Sequence, residues 1–299
     1  MTHSYQRYTA AGNTFLVMNT WEDPLSISRE EMRTLVRKAC DYKDGAGSDG
    51  LILINQSGLV AEFRMDFYNP DGTTGMLCGN GARCAVEAAS EYGFMTSSKT
   101  AFEVLGAINH AEKQPNCSIR VYFQDPTVIR RDVALSLDSA EAIRAGYVDL
   151  GSQHVVVFQD ELKKLGETDI ESFDIAHYGP LVRWHPEFAP VGANANFVEV
   201  REDGEEKYLR IRTFERGVEG ETLACGTGCM SSAIIARLAG KIAATPIRLL
   251  TQSGEYVTVD FKVNGEAITN LSLEGPVIRG EGGVLMFDEA IGVLKVVYD

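Results

Sequence analysis

The sequence predicts an α+β protein built from two pseudo-repeated domains. Its 299 residues are enough for two domains of ordinary size, each with its own core. The strand-like segments do not alternate with helices in the regular way that a doubly wound sheet requires. In addition, a Cys-Gly-x-Gly segment followed by a helix-forming run occurs at Cys78 and again, 147 positions later, at Cys225.

The first half contains an amphipathic helix among short strands. In SREEMRTLVRKACDY the apolar residues between Met32 and Ala39 have helical spacing, and Ser28 can cap the first turn. The Cys78 segment follows an Asn-Pro-Asp-Gly turn and opens a second helix. Strands are predicted in FLVMNTW, LILI, VAEFRMDFY, AFEVLGAI and SIRVYF.

The second half repeats this order of strands, polar turn, cysteine and helix. The strands GYVDLGSQHVVVF, ANFVEV and YLRIRTFERG precede Cys225, and PIRLLT, EYVTVDF and ITNLSLEG follow its helix. Identity between the halves is low outside the Cys-Gly-x-Gly core. We therefore interpret the pattern as a pseudo-repeat with a boundary near residues 125–131, in QDPTVIRRD.

The composition argues against several classes of function. A net charge of −14 and a pI near 4.9 oppose binding to nucleic acid or to an anionic membrane. No apolar run approaches the roughly 20 residues that span a bilayer, and the N-terminus does not have the pattern of a signal peptide. We expect a cytoplasmic protein whose partner is a small molecule, with no nucleic-acid or membrane partner.

Disulfide, metal and nucleotide sites are not expected either. Six cysteines are few for a disulfide scaffold in a chain of this length. The pairs Cys78-x5-Cys84 and Cys225-x3-Cys229 have no nearby histidine and do not show zinc-ligand spacing. GAGSDG, residues 45–50, fits G-x-G-x-x-G but precedes the strand LILI, so it does not predict a dinucleotide site.

A cysteine at the start of a helix lies in an unusual electrostatic environment. The first turn has backbone N–H groups without intrahelical partners and a partial positive charge, which bind anions and stabilise a thiolate. Glycine on both sides of Asn80, and of Thr227, allows a carboxylate to approach these N–H groups closely. Each segment therefore predicts an anion site with a thiol beside it.

Two such sites on one ligand would suit inversion of an amino acid at its α-carbon. One thiolate would remove the α-proton, the other thiol would deliver a proton to the opposite face, and the helix starts would stabilise charge on the α-carboxylate. A single cysteine of this kind is more often a small buried residue beside a turn. The recurrence favours the catalytic interpretation for Cys78 and Cys225, and we interpret the other four cysteines as structural.

Several segments together resemble one enzyme family. FYNPDGTTGMLCGNGARC and FERGVEGETLACGTG resemble the diaminopimelate epimerase family, whose members are amino-acid racemases independent of pyridoxal phosphate. AAGNTFLVM, GAGSDGLILI, GSQHVVVF and ANANFVEV extend the resemblance over most of the chain, in the order of the family. It implies an isomerase without a cofactor that converts LL- to meso-diaminopimelate, with Cys78 and Cys225 as acid and base.

The resemblance also implies an architecture. Each half should be a curled, mostly antiparallel sheet around a central helix, with the active site in the cleft between the two domains. The first domain would comprise residues 1–128 and a returning C-terminal strand at 284–299, and the second would comprise residues 129–283. A homodimer is a further expectation from the family.

The substrate-binding residues implied by the resemblance form three groups. Backbone N–H groups at the two helix starts should hold the α-carboxylate: Gly79, Asn80, Gly81, Gly226, Thr227 and Gly228. Asn13 should line the pocket, while His154 and Glu215 should orient the α-amino group or the polar surroundings of the thiols. The distant amino and carboxyl groups of the substrate should contact Asn69, Asn194 and Arg216, because an arginine fork suits a carboxylate.

Two departures from the family pattern leave the substrate open. Ser152 stands where many members have asparagine, and Gln153 stands where proline is usual. The loop ERGVEGETLACG is one residue longer than the shortest family form. A racemase of another amino acid, such as histidine, and a member of the fold without catalytic activity are therefore the alternatives.

Overall fold

The protein is described from a computed structural model that covers residues 2–75, 77–137, 141–265, 267–288 and 293–298. Its internal contacts define two compact units. Unit 1 comprises Met1–Tyr122 together with Gly275–Asp299, and unit 2 comprises Phe123–Glu274.

The described part of unit 1 consists of a series of paired strands and two helices. Its helices are α1 (Arg29–Cys40) and α2 (Gly79–Glu91). The strands follow the spatial order β18-β17-β1-β2-β3-β4-β5-β6-β7; β2 with β3 and β4 with β5 are parallel, and the other pairs are antiparallel. These strands are β1 (Thr2–Ala10), β2 (Asn13–Asn19), β3 (Leu51–Asn55), β4 (Phe63–Tyr68), β5 (Lys99–Val104), β6 (Ala107–Lys113), β7 (Ile119–Tyr122), β17 (Ile278–Asp288) and β18 (Val293–Tyr298).

Unit 2 has its own series of paired strands and, in the described ranges, three α-helices: α3 (Gln159–Leu162), α4 (Ile175–Arg183) and α5 (Gly226–Leu238). The spatial order is β8-β9-β10-β11-β12-β14-β15-β16, and the short β13 also pairs with β12. The strands are β8 (Val128–Leu135), β9 (Ile143–Asp149), β10 (Gln153–Phe158), β11 (Asn194–Asp203), β12 (Glu206–Glu215), β13 (Gly220–Thr222), β14 (Ile247–Leu250), β15 (Tyr256–Asn264) and β16 (Ala267–Gly275).

The two units have the same pairing pattern, which confirms the pseudo-repeat. The comparison starts from β17 in unit 1 and from β8 in unit 2. In both units the first two strand pairs are antiparallel, the third is parallel, the fourth is antiparallel, the fifth is parallel and the last two are antiparallel. Strand β2 therefore corresponds to β10, β4 to β12, and α2 to α5. The strand that matches β8 comes from the end of the chain.

The unit boundaries differ from the predicted domain limits of 128 and 283. Unit 2 begins at residue 123, and the second part of unit 1 begins at residue 275. The second difference arises because all of β17, starting at Ile278, pairs with unit 1: Ile278 itself is opposite Thr9 of β1. The family resemblance anticipated only the later part of this returning segment.

Each sheet curls around one buried helix. α2 packs against β1, β2, β3, β4, β6 and β7, and α5 packs against β9, β10, β11, β12, β14 and β15. A helix that contacts strands across a whole sheet needs apolar side chains around its circumference. Small and apolar residues such as Ala85, Ala89, Ala233 and Ile234 meet this need and are completely buried. Among the described residues, no helix has the length and hydrophobicity needed to cross a bilayer.

Helix α1 has the N-cap and the buried apolar face that its sequence predicts. Ser28 accepts a hydrogen bond from the Glu31 backbone, and the Glu31 carboxylate accepts one from the Ser28 backbone, which forms a capping box. The residues Met32, Leu35, Val36 and Ala39 are buried, as their spacing predicts.

Two segments predicted as strands are hairpins. AFEVLGAI bends at Leu105 and Gly106, both with positive φ, and separates into β5 and β6. GYVDLGSQHVVVF bends at Gly151, with φ of +83°, and separates into β9 and β10. The apolar pattern continues through both turns, so alternation alone did not reveal them.

Helix α4 was not predicted, because Gly179 and Pro180 give its sequence the composition of a loop. Asp174 caps its first turn by accepting from the His177 backbone. Gly179 lies so close to Phe214 of β12 that a β-carbon would collide with the ring. Tertiary packing on β12 therefore explains both the helix and its glycine.

Candidate functional site

Cys78 and Cys225 are the N-cap residues of the two central helices. Both have extended backbones, with φ and ψ of −95° and 121° at Cys78 and −122° and 111° at Cys225. Their carbonyl oxygens accept the first helical hydrogen bonds, from Ala82 at 2.7 Å and Cys229 at 2.9 Å. The first three residues of each helix are thus Gly79, Asn80 and Gly81 in α2 and Gly226, Thr227 and Gly228 in α5.

In unit 1, Asn13 lies beside the start of α2. It follows the two-residue turn Ala11-Gly12, in which both residues have positive φ, as a type I′ hairpin requires. Asn13 Oδ1 accepts a hydrogen bond from Asn80 Nδ2 at 2.7 Å. Asn80 Oδ1 in turn accepts from Arg83 Nη2 at 2.7 Å, so Asn13, Asn80 and Arg83 form one hydrogen-bonded group.

Asn69 lies in the turn that precedes α2. Its carbonyl accepts from the Gly72 backbone at 2.8 Å, and Gly72 has a φ of +79°. Asn69 Nδ2 donates to Thr73 Oγ1 at 3.1 Å. These contacts are internal to the turn and do not join Asn69 to the group around Asn13.

In unit 2, burial and a neighbouring carboxylate keep the Cys225 thiol protonated. The residue is 8% exposed. Burial raises the pKa of the Cys225 thiol well above its ordinary value, and the nearby Glu215 charge raises it further. Two hydrogen bonds lower this pKa but do not outweigh burial. One comes from Thr227, whose Oγ1 lies 3.5 Å from Sγ, and the other comes from the Gly228 backbone.

Glu215 is the last residue of β12 and is itself perturbed. Burial raises the pKa of its carboxyl group, and the hydrogen bond that Glu215 Oε2 accepts from Thr222 Oγ1 at 2.9 Å opposes the shift. Glu215 and Cys225 are therefore both poorly solvated, and the Glu215 charge disfavours the thiolate form of Cys225.

Replacing Glu215 by glutamine is expected to lower the pKa of the Cys225 thiol, because the amide carries no charge. The thiolate fraction at a given neutral or alkaline pH should then rise. Iodoacetamide labelling of Cys225, followed by peptide mass spectrometry over a pH series, should be several-fold faster than in the original protein. Glu206→Gln, at the exposed start of β12, is the matched control. Labelling of Glu215→Gln at the original rate would show that the carboxylate does not act on the thiol.

His154 is an uncharged, completely buried residue of β10. Burial, with a smaller contribution from the Arg216 charge, lowers its pKa to about 3. Asn196 Nδ2, which also donates to the Val155 carbonyl, lies 3.3 Å from Nδ1. Nε2 lies 3.0 Å from Ser152 Oγ and 3.4 Å from Asn194 Nδ2. His154 thus contacts three neighbouring polar side chains, those of Ser152, Asn194 and Asn196.

Asn194 and Arg216 lie next to each other. Asn194 Oδ1 accepts from the Arg216 backbone at 2.8 Å, and Asn194 Nδ2 donates to the Gln153 carbonyl at 3.0 Å. The parallel register of β10 and β11 places His154 opposite Asn194. The structure thus brings together His154, Asn194 and Arg216, three predicted site residues that are distant from one another in the sequence.

Asn196 was not identified from the sequence, although it connects His154 with the start of α5. It is completely buried, and its Oδ1 accepts from Thr213 Oγ1 at 3.0 Å. The same oxygen lies against Gly228, where an added β-carbon would collide with it. The available signal was the spacing of Asn194 and Asn196, because residues two apart on a strand share a face.

The corresponding glycines of the two helix starts should respond differently to alanine. Gly228→Ala should destabilise the protein by roughly 1–3 kcal/mol, because its β-carbon would displace Asn196. At Gly81 the nearest atom to an added β-carbon is Met65 Cε at 3.4 Å, so Gly81→Ala should fit and gain about 0.5–1 kcal/mol of helix propensity. Denaturant unfolding of both variants without ligand tests this contrast. Equal stabilities would contradict it.

The predicted residues therefore fall into two sets: in unit 1, Asn13 is hydrogen-bonded to Asn80, and in unit 2, Asn194 contacts both His154 and Arg216. None of the six cysteines, all of which the structure describes, is in a disulfide. Within the described ranges, no group of three or more His, Cys, Asp or Glu side chains could hold a metal ion.

Comparison with known proteins identifies relatives over nearly the whole chain. The profile of the family described as diaminopimelate epimerase matches residues 6–128 and 146–278. The diaminopimelate epimerase of Aquifex aeolicus is 35% identical over 285 residues, which cover 92% of this chain and 95% of that protein. That of Chlorobaculum tepidum is 35% identical over 269 residues, covering 90% and 95%.

Solved structures share the fold at low identity. The crystal structure of a phenazine biosynthesis protein of the PhzF family from Bacillus anthracis superposes with a TM-score of 0.72 at 17% identity. The match covers 96% of this chain and all of that chain. The family profile and the two relatives extend the similarity from fold to sequence, and the chain therefore belongs to the diaminopimelate epimerase family of isomerases.

Proposed function

We propose that this protein inverts the α-carbon of LL-diaminopimelate to give meso-diaminopimelate, without a cofactor, by a two-thiol mechanism. The observation that carries the proposal is the repeated placement of a cysteine, Cys78 or Cys225, as N-cap of the central helix of a unit. The substrate is inferred from relatives named diaminopimelate epimerase.

The reaction transfers one proton to the enzyme and one from it. A thiolate takes the α-proton, so that a C–H bond breaks and an S–H bond forms. The second thiol gives its proton to the opposite face of the same carbon and becomes the thiolate. Configuration inverts, the substrate gains and loses one proton, and the two sulfurs exchange protonation states. The mechanism requires both sulfurs to reach one α-carbon from opposite faces.

The protonation of Cys225 supports its role as the proton donor when the reaction begins. Burial and the Glu215 charge raise the pKa of the thiol, so the resting protein carries a proton on Cys225. Cys78 would then act as the thiolate. In the reverse direction the roles exchange, as microscopic reversibility requires.

The helix starts would stabilise the charge that develops on the α-carboxylate as the proton leaves. The N–H groups of Gly79, Asn80 and Gly81, and of Gly226, Thr227 and Gly228, belong to the turns that α-helices leave without intrahelical partners. Fixed donors of this kind need no reorganisation during the reaction. Asn13 would keep the unit 1 set in place through its bond to Asn80.

Three polar residues would recognise the remote end of the substrate. Arg216 offers a planar fork of donors for the distant carboxylate, and Asn69 and Asn194 offer amide groups for the distant amino and carboxyl groups. Glu215 would accept from an ammonium group. His154 would act indirectly, through Asn194, whose Nδ2 lies 3.4 Å from His154 Nε2.

The product would serve lysine synthesis and peptidoglycan precursor synthesis. We place the reaction in the cytoplasm, because two thiols that must cycle between S–H and S⁻ need a reducing compartment.

The decisive experiment is proton NMR of reduced protein in heavy water with LL-diaminopimelate. Loss of the α-proton signal together with formation of the meso isomer is the expected result. L-histidine and a panel of other L-amino acids are tested in parallel. Exchange only with another amino acid would keep the two-thiol chemistry and reject the substrate. An absence of exchange with all of them, in protein shown to have its thiols reduced, would reject the enzymatic proposal.

A second candidate, racemisation of another amino acid, is favoured by one observation. Gln153, which stands where proline is usual, contacts Arg216 directly: its Oε1 accepts from Arg216 Nη1 at 2.7 Å. An amide at this position changes the surroundings of the group assigned to the distant carboxylate. The amino-acid panel distinguishes the two candidates.

A further inference from the structure

We propose that Gln153 is a positioning residue that orients the Arg216 guanidinium to receive a carboxylate remote from the reacting carbon. The proposal rests on the proposed function and deepens it. It assigns recognition of the distant carboxylate to a hydrogen-bonded array that includes Gln153, a residue that departs from the family pattern. The array consists of Asp149, Gln153 and Arg216, joined in series by two side-chain hydrogen bonds.

The first bond anchors Gln153. Its Nε2 donates to Asp149 Oδ2 at 3.1 Å, and Asp149 Oδ1 accepts from the Gly151 backbone at 2.9 Å. Asp149 ends β9 and Gln153 begins β10, directly opposite it in the antiparallel register. The tight turn between them, with Gly151 at a φ of +83°, therefore holds the carboxylate in place.

The second bond fixes which end of the amide faces arginine. A carboxylate accepts only, so the Gln153 amide must present nitrogen to Asp149 and oxygen to Arg216. Arg216 Nη1 donates to that oxygen at 2.7 Å. The array thus has a single direction of hydrogen bonding, and it selects one orientation of the guanidinium.

The backbone of Arg216 is held by Asn194, the first residue of the neighbouring strand β11. Asn194 Oδ1 accepts from the Arg216 backbone N–H at 2.8 Å, while Asn194 Nδ2 donates to the Gln153 carbonyl at 3.0 Å. Both the main chain and the side chain of Arg216 are therefore tied to Gln153. A long side chain held at two points loses less freedom when a ligand binds.

A neutral partner suits this role better than a charged one. Gln153 engages one of the five N–H donors of the guanidinium and leaves its positive charge uncompensated. A carboxylate at the same position would pair with Arg216 and compete with the substrate. It would also lie against Asp149, where the two negative charges would repel each other.

The pseudo-repeat provides an independent parallel. β2 and β10 occupy corresponding positions in their units, and the first residue of each is an amide, Asn13 or Gln153. Asn13 makes a side-chain hydrogen bond to the residue set at the start of α2, and Gln153 makes one to Arg216. In both units, therefore, the first strand residue after a hairpin turn is an amide that is hydrogen-bonded to another of the proposed site residues.

The test compares Gln153→Met with the original protein, using LL-diaminopimelate and α-proton exchange in heavy water. Loss of a hydrogen bond to a charged group should raise KM roughly 10-fold or more, with kcat nearly unchanged, because the thiols are not altered. Gln159→Met is the matched control: it lies in the same unit, and its amide donates to the Thr168 carbonyl at 2.7 Å. Its KM should equal that of the original protein.

Coupling to Arg216 separates positioning from a general structural effect. In an Arg216→Ala background, Gln153→Met should cause little further loss of kcat/KM, because the group it positions is gone. Additive losses would overturn the proposal, as would an unchanged KM in the single variant. If the original protein does not exchange the α-proton of diaminopimelate, the proposed function itself fails.

Gln153→Glu keeps the size of the side chain and provides a second variant in case the methionine disturbs folding. Its KM should rise at least as much as that of Gln153→Met, because the new charge would pair with Arg216. Thermal unfolding of both variants checks that they fold. A KM for Gln153→Glu at or below the original value would overturn the proposal.

Discussion

Replacement of Cys225 by alanine is expected to reduce the rate of α-carbon inversion by roughly 10²- to 10⁴-fold, the usual contribution of a positioned acid or base. Cys78→Ala should have a loss of the same order, because inversion needs a proton removed on one face and delivered on the other. The ratio of LL- to meso-diaminopimelate over time, followed by NMR, measures the effect.

The structure offers matched controls for this experiment in the same two helices. Cys84 and Cys229 are buried side chains within α2 and α5. Cys84→Ala and Cys229→Ala make the same chemical change away from the helix starts, so they should retain inversion. Near-original inversion in both Cys78→Ala and Cys225→Ala would disprove the two-thiol mechanism.

The single-thiol variants also report which sulfur serves each face. With one thiol left, an α-proton removed on its face can return only from that face. Deuterium should then enter one epimer with retention of configuration, and the epimer that exchanges identifies the face served by the remaining sulfur. If Cys225 is the initial donor for the LL isomer, Cys225→Ala should still exchange that isomer without inverting it.

Replacement of Arg216 by alanine should lower kcat/KM for diaminopimelate by roughly 10²- to 10³-fold, the range found when one partner of a hydrogen-bonded charge pair is removed. Most of the loss should appear in KM, because the distant carboxylate is bound equally in the ground state and the transition state. Steady-state kinetics with LL-diaminopimelate measure both constants.

Arg216→Lys and Arg248→Ala complete that experiment. Lysine keeps the charge and loses the planar fork, so its effect should be intermediate. Arg248 forms an ion pair with Glu206 on the exposed side of unit 2, and its replacement should leave the kinetics unchanged. An Arg216→Ala variant with normal turnover would indicate a substrate without a remote carboxylate.

The starts of the two central helices could be predicted from the sequence because the residues that mark them are adjacent in the chain. A cysteine followed by Gly-x-Gly and then by small apolar residues marks the start of a buried helix within a few positions. The same holds for α1, whose capping box joins Ser28 and Glu31. By contrast, α4 contains residues that usually break helices, and only its packing on β12 accounts for it.

The residues around the proposed site were predictable in part. The family resemblance implies Asn13, His154, Asn194 and Arg216 as site residues. It does not imply Asn196, which lies in the segment ANANFVEV. Asn194 and Asn196 are two residues apart on β11, so their side chains lie on the same face of the strand. The sequence does not indicate which residues that face contacts. The sequence shows that Gln153 departs from the family pattern, but it does not show that Gln153 contacts Asp149 and Arg216.

The sequence by itself determined the two helix starts, the position of a thiol at each, the acidic character of the chain and the repeated order of its elements. These depend on residues within a turn or two of one another, or on composition. Tertiary structure alone decided that Gln153 holds Arg216, 63 positions away, and that Asn13 meets Asn80, 67 positions away. It also made His154 neutral and Cys225 a protonated thiol, because pKa values depend on burial and on charges brought close by strand register.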